Sequence, residues 1–225
     1  MKKKKMKNDL MWDAILLIAF VVYTWIIASF DVRLINGAAS EVGLSRVNEF
    51  FFNKLPYNDV FYNISKVFGY ASFILIAYFG LVGLKQLIER KNVLKVDNNI
   101  LIFGGTCVVM LAIYAVFEFA IINYRPIILD SEEWPESSYP SSHTFLAMTL
   151  CGTGLYMIHD YIKNESIRKI ISVILTLGSV VIVVSRLLSG VHWFTDIVGS
   201  VILSSLVIKL FITAVHMWGN DKTVG

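Results

Sequence analysis

Ser185-Arg186-Leu187-Leu188-Ser189-Gly190-Val191-His192-Trp193-Phe194-Thr195-Asp196 lies between two strongly apolar stretches, Ile170–Ser185 and Ile197–Ile208. An ionisable side chain in hydrocarbon costs several kcal/mol, so one that stands in a membrane segment has a function or a partner there. Two upstream segments repeat the arrangement: Arg125-Pro126 and Pro140-Ser141-Ser142-His143 also stand at the ends of apolar runs.

Working outward, the 225 residues are 56% hydrophobic and 16% charged, with a mean hydropathy of +0.65. That is far from the balance of a soluble domain. Uncharged runs account for it: Ala14–Phe30, Val67–Leu84, Asn98–Phe117, Thr144–Ile158, Ile170–Ser185 and Ile197–Ile208. A spanning helix needs about 20 mainly apolar residues. The first three runs reach or approach that length, and the last three reach it when counted through the polar motifs at their ends. The expectation is an all-α polytopic membrane protein of six transmembrane helices. These form one membrane domain over residues 1–225, with the motif-bearing core at about 99–212.

Basic residues set the orientation. With the N-terminus inside, the inner segments hold Lys2, Lys3, Lys4, Lys5, Lys7, Lys85, Arg90, Lys91, Lys95, Lys163, Arg168, Lys169, Lys209 and Lys222. The outer side holds Arg33, Arg46, Lys54, Lys66, Arg125 and Arg186, and two of these belong to the motifs. Both termini are therefore expected to be cytoplasmic, with the motifs facing outside. Ala14–Phe30 reads as a retained anchor helix, because no small-residue cleavage site follows closely. The N-terminal lysines belong to this topology and do not imply a nucleic-acid partner. Cys107 and Cys151 fall within helices and read as small apolar side chains.

Between the helices, Val47–Phe52 reads either as an interfacial amphipathic helix or as a plug over the bundle. The outer loop Ile127–Tyr139 carries Asp130, Glu132, Glu133 and Glu136. It reads as a solvated turn or as a gate for head groups.

The motifs converge on one face. Arg125-Pro126 is expected to end the third helix, since proline removes a donor and disfavours helix before it. Ser141 and Ser142 are good caps for the fourth helix, whose free N–H groups attract anions. Ser189-Gly190 breaks the chain before the sixth helix, which His192 and Asp196 open. Four positions apart, those two residues share a helical face. Asp196 can thus hold the imidazole tautomer with one ring nitrogen free for attack. His143 can protonate a leaving oxygen. Arg125 and Arg186 can clamp phosphate oxygens, and Ser141 and Ser142 add donors. This is the positioning and electrostatics that phosphoryl transfer requires. A lone histidine at a helix end is more often an interfacial residue, as His159 and His216 illustrate; it is the combination that carries the reading.

In these motifs the chain resembles the type 2 phosphatidic acid phosphatase family of integral-membrane lipid phosphatases. The family's third motif, Ser-Arg-x5-His-x3-Asp, is present in full from Ser185 to Asp196. Its second, Pro-Ser-Gly-His, is present as Pro140-Ser141-Ser142-His143. Its first, Lys-x6-Arg-Pro, survives only in Arg125-Pro126. The resemblance implies a reaction without metal or cofactor, through a phosphohistidine on His192. Asp196 would orient it, His143 would be the acid, and Arg125, Arg186, Ser141 and Ser142 would hold phosphate. The implied substrates are bilayer lipids: undecaprenyl diphosphate first, then phosphatidylglycerophosphate and phosphatidic acid. The six-helix plan and Lys-rich inner face suggest a bacterial plasma membrane.

Where the family has lysine, seven residues before Arg125, stands Glu118. A carboxylate there repels phosphate unless paired or protonated. Glu118 either pairs with Arg125 or Arg186 and orients the guanidinium, or reflects a different substrate, or weakens the enzyme. The alternative class is therefore a non-catalytic or weakly active membrane protein that binds lipid phosphate. A transporter would place its polar groups near mid-membrane, not at one face.

Overall fold

The computed structural model describes residues 2–129 and 132–219, so Lys222 and Asp130 of the readings above lie outside the described residues. Helix α1 (Lys2–Ser29) leads into a minimal antiparallel pair, β1 (Arg33–Leu34) and β2 (Glu41–Val42). Then follow α2 (Ser45–Lys54), α3 (Asp59–Ser72), α4 (Ile74–Arg90), α5 (Asn98–Phe119), α6 (Ser142–Tyr161), α7 (Glu165–Leu188) and α8 (Phe194–Trp218).

Among the described residues five segments are long and apolar enough to cross a membrane: Lys4–Ser29, Asp59–Arg90, Asn98–Phe119, Glu165–Leu188 and Phe194–Trp218. The chain is a multi-pass membrane protein. The remaining segment of the six expected is α6, which has 20 residues but carries His143, Thr144, Thr149, Thr153, His159 and Asp160. It tolerates them because it is surrounded by α3, α7 and α8 rather than by lipid. The α8 span is 50% buried, whereas the other four are 17 to 22% buried, so α6 and α8 form the centre of the bundle. The outer helices turn Ile18, Trp25, Leu81, Val108 and Ile174 outward, as lipid contact favours.

Small hydroxyls join the two central helices. Ser200 donates to the Ser141 carbonyl at 3.0 Å, and Ser204 donates to the Phe145 carbonyl at 3.2 Å. Such bonds contribute about 0.6 kcal/mol each within a bilayer. Their larger effect is to set the register between the helices that carry His143 and Asp196.

The second expected helix is broken at Phe73. Ser72 Oγ donates to the Gly69 carbonyl at 2.6 Å, and the Phe73 N–H turns to Tyr70, a competition that bends helices. At the far end from the motifs, α1 is fastened to α8. Asp9 there accepts from Lys209 at 2.6 Å and lies 2.9 Å from His216 Nδ1. His216 thus has a partner in place of a bare interfacial position.

The Val47–Phe52 segment lies in α2 and packs by one side. Within α2, Phe51 stacks on Phe194 (4.1 Å between centroids) and Phe52 meets Trp193 (5.5 Å), while Val47 and Phe50 remain exposed. Asn48 is fully buried and clamps the start of α8. It donates to Thr195 Oγ1 at 3.0 Å and accepts from the Thr195 N–H at 3.2 Å.

Candidate active site

Between α7 and α8 the chain reverses at Gly190, whose φ is +68°. A Cβ there would sit in that left-handed region and 2.8 Å from the Leu55 carbonyl oxygen, so only glycine fits without strain. The turn is tied to α3 by the Asn58 N–H donating to Ser189 O at 3.1 Å. Helix α8 then starts at Phe194, with Trp193 as N-cap. His192 therefore precedes the helix, and the expectation that His192 and Asp196 share a helical face is corrected. Asp196 is instead the capping carboxylate of the first turn, accepting the Trp193 N–H at 3.0 Å.

What joins the two is Ser138. Its hydroxyl lies 3.1 Å from His192 Nδ1 and donates in a short bond to Asp196 Oδ2, while Nδ1 and Oδ2 stand 3.7 Å apart. Having given its one proton to the carboxylate, Ser138 can only accept from Nδ1–H. The bonding pattern thus assigns the tautomer: Nε2 carries the lone pair. Asp196 Oδ1 accepts from Asn123 Nδ2 at 3.2 Å, so three donors hold this buried carboxylate.

His192 Nε2 is buried and has no protein partner. Burial, then the charges of Arg186 and Arg125, holds the imidazole well below its ordinary value of 6.5. His192 is therefore neutral at pH 7, with its lone pair on Nε2.

The two arginines are held differently. Arg186 ends α7 and is fully buried. It donates from Nη1 to Ser65 Oγ at 3.2 Å and lies over the Tyr62 ring at 5.3 Å, leaving Nε and Nη2 without a protein partner. Arg125 does not end a helix: α5 stops at Phe119. The chain then runs extended, and an antiparallel ladder pairs residues 123–125 with 136–138. The Arg125 N–H donates to Glu136 O, Ser138 N–H donates to Asn123 O, and Tyr124 bridges Ser137. This ladder, closed before Pro126 can matter, brings Arg125, Asn123 and Ser138 to the site together. Arg125 Nη1 pairs with Glu136 at 2.6 Å, and its buried Nε has no partner. Glu136 of the acidic loop is thus an anchor for Arg125.

His143, in the first turn of α6, packs against α3: Tyr70 meets its ring at 6.1 Å. A Cβ on Gly69 would lie 3.1 Å from its Cδ2. Ser141 is the N-cap residue of α6, but its hydroxyl bonds Thr144 Oγ1 at 3.1 Å. Ser142 shares a cavity of about 20 Å³ with Glu118, Tyr114, Ser137 and Tyr139. Glu118 makes no ion pair among the described residues, so the expected pairing with Arg125 or Arg186 is corrected: Glu136 and Ser65 occupy those roles. Sequence reasoning missed Ser138, Asn123, Ser65 and Glu136 as partners. Only the serine-rich run before Pro140 hinted at any of them.

The donors at this end are guanidinium N–H groups and the free N–H groups of the first turn of α6. Together they fit an anion of phosphate size. The sequence profile described as the PAP2 superfamily matches residues 66–220. The chain belongs to the PAP2 superfamily. All three motif segments of this PAP2 chain fall within the matched region. Among solved structures it is similar to one described as the first transmembrane PAP2 type phosphatidylglycerolphosphate phosphatase, from Bacillus subtilis. The TM-score is 0.56 at 19% identity, covering 89% of this chain and 93% of the other, which shows a shared fold. No curated protein matches the PAP2 chain in sequence.

Proposed function

We propose that this PAP2 protein hydrolyses a phosphate or diphosphate monoester of a membrane lipid through a phosphohistidine on His192. The observation that carries the reading is the pairing of a neutral, buried and unpartnered His192 Nε2 with the unpaired N–H groups of Arg186 and Arg125. The Nε2 lone pair attacks phosphorus as the bond to the leaving oxygen breaks. His143 gives that oxygen its proton, and Arg125 and Arg186 hold the phosphoryl oxygens. Water then attacks the phosphohistidine while His143 takes its proton, releasing inorganic phosphate and restoring both imidazoles. Asp196 acts through Ser138 to keep Nδ1 protonated. Ser142 and the first turn of α6 add N–H donors, while Ser141, whose N–H is turned to Asp196 O at 3.4 Å, sets the position of that turn. The route uses no metal or cofactor.

A lipid substrate is supported by an apolar groove of about 380 Å³ lined by Phe68, Leu75, Tyr78, Ala147, Cys151 and Ile174. Phe68 adjoins Gly69, and Ala147 lies one turn from His143, so a chain in this groove has its head at the site. Undecaprenyl diphosphate is the preferred substrate, ahead of phosphatidylglycerophosphate and phosphatidic acid. The chain acts as one six-helix domain in a bacterial plasma membrane, with both termini cytoplasmic and the site facing outside.

Phosphate release from a detergent-solubilised panel of these lipids, with His192→Ala as control, tests the proposal. Release that survives a metal chelator and vanishes in His192→Ala supports it. No release from any substrate would favour a protein that binds lipid phosphate without turning it over.

A further inference from the structure

Helix α3 presents one face to the site, and its residues recur at helical spacing: Tyr62, Ser65, Lys66, Gly69 and Tyr70. Four of the five touch the machinery. The Tyr62 ring lies under the Arg186 guanidinium, Ser65 accepts from Arg186, Gly69 makes room for His143, and Tyr70 meets the His143 ring. Lys66 sits among them, partly buried, with Nζ 5.1 Å from the Tyr62 centroid and its charge within reach of His143. It makes no ion pair among the described residues, although Arg125 on the other side has Glu136. An ammonium group near the end of a membrane span, without a carboxylate, calls for an anion or for escape to the interface.

We infer that Lys66 is a substrate-binding residue on the leaving-group side of the site, and that it selects lipid diphosphates over lipid monophosphates. The inference rests on the phosphohistidine reading, in which His143 delivers the proton to the leaving oxygen. When a lipid monophosphate is cleaved, the leaving group is a neutral alcohol, which gains nothing from a neighbouring cation. When the terminal phosphorus of a diphosphate is attacked, the leaving group is the lipid monophosphate, which departs with its own negative charge. A cation beside His143 stabilises that charge as it develops. Lys66 also restores a lysine to a site whose motif position holds Glu118, but from a different helix and beside the acid rather than the nucleophile.

The test compares kcat/KM for farnesyl diphosphate and farnesyl monophosphate in wild type, Lys66→Gln and Lys66→Arg, each checked for a monodisperse fold in detergent. Wild type favours the diphosphate. Lys66→Gln lowers kcat/KM for the diphosphate by about tenfold to a hundredfold and leaves the monophosphate within about threefold. Lys66→Arg keeps most of the preference. Equal losses on both substrates, or no loss on either because Lys66 merely reaches the interface, would overturn the assignment. A wild type inert toward both would overturn the phosphatase reading itself, and this assignment with it.

Discussion

The hydroxyl of Ser138 stands between His192 and Asp196, 3.1 Å from Nδ1 of the one and donating to Oδ2 of the other. The carboxylate therefore acts on the imidazole through a serine and not directly. Removing the relay leaves Nδ1 3.7 Å from the nearest carboxylate oxygen, beyond a good hydrogen bond. Ser138→Ala should lower kcat by about tenfold to a hundredfold with KM little changed, and Ser138→Thr should recover part of it. Steady-state kinetics on a detergent-solubilised lipid phosphate checks this; a KM effect alone would assign Ser138 to binding.

The acid limb of kcat/KM should lie below pH 6.5. Burial and the two arginines depress the His192 value from 6.5, so the folded protein resists protonation while the unfolded chain protonates from about pH 6.5 downward. The stability that His192 contributes is thus present above that pH and lost as pH falls through and below it. Thermal unfolding between pH 7 and 5 should show a loss that is smaller in His192→Asn. An acid limb at 6.5 or above that disappears with His192 would mean an ordinary imidazole.

Gly190 is irreplaceable on backbone grounds. Its φ of +68° and the Leu55 carbonyl 2.8 Å from a would-be Cβ impose a cost of about 1–3 kcal/mol on Gly190→Ala. Because the turn aims His192, the variant should lose activity in greater proportion than stability. Unchanged kinetics with a lowered Tm would show that the turn supports the bundle but does not aim His192.

Glu136 and Glu118 should rank in that order. Glu136→Gln removes the negative charge 2.6 Å from Arg125 Nη1 and should cost about tenfold in kcat/KM. Glu118→Gln touches no arginine and should cost less than about threefold. The reverse ranking would return Glu118 to the role of orienting a guanidinium.

At the opposite end of the bundle, Asp9→Asn removes the charge that Lys209 and His216 share and one of its two acceptor oxygens. Tm in detergent should fall by about 2–6 °C, with kcat/KM unchanged. A kinetic effect would reveal coupling along α8 from this clasp to the site.

The residues of the third motif are readable in the sequence because their relation is local. Arg186, His192 and Asp196 lie within one helix end, one turn and one helix start, and the serine–glycine pair marks the break between the helices. The bundle was readable for a similar reason. Lipid leaves backbone polar groups no partner but their own helix, so uncharged runs of sufficient length become helices, and composition alone identifies them. Helix α6 is apolar enough only when its protein neighbours are taken into account, which periodicity does not reveal.

Other features were set by contacts distant in the chain. Ser138 is 54 residues from His192, and Ser65 is 121 from Arg186; no spacing rule links such pairs. Arg125 is placed by a backbone ladder, where the sequence predicts a helix end. Glu118, at the family's lysine position, is the partner that the motif suggests for Arg125 or Arg186, yet the ladder places Glu136 at Arg125.

By itself the sequence determined the membrane class, the positions of five spans and the three charged segments, since hydrocarbon penalises every exposed polar group. Tertiary structure alone decided which serine relays Asp196 to His192, which carboxylate holds Arg125, and which face of α3 meets the site. Those choices depend on side chains brought together by helix packing, and packing in a bilayer turns on small residues and shape, to which hydropathy is blind.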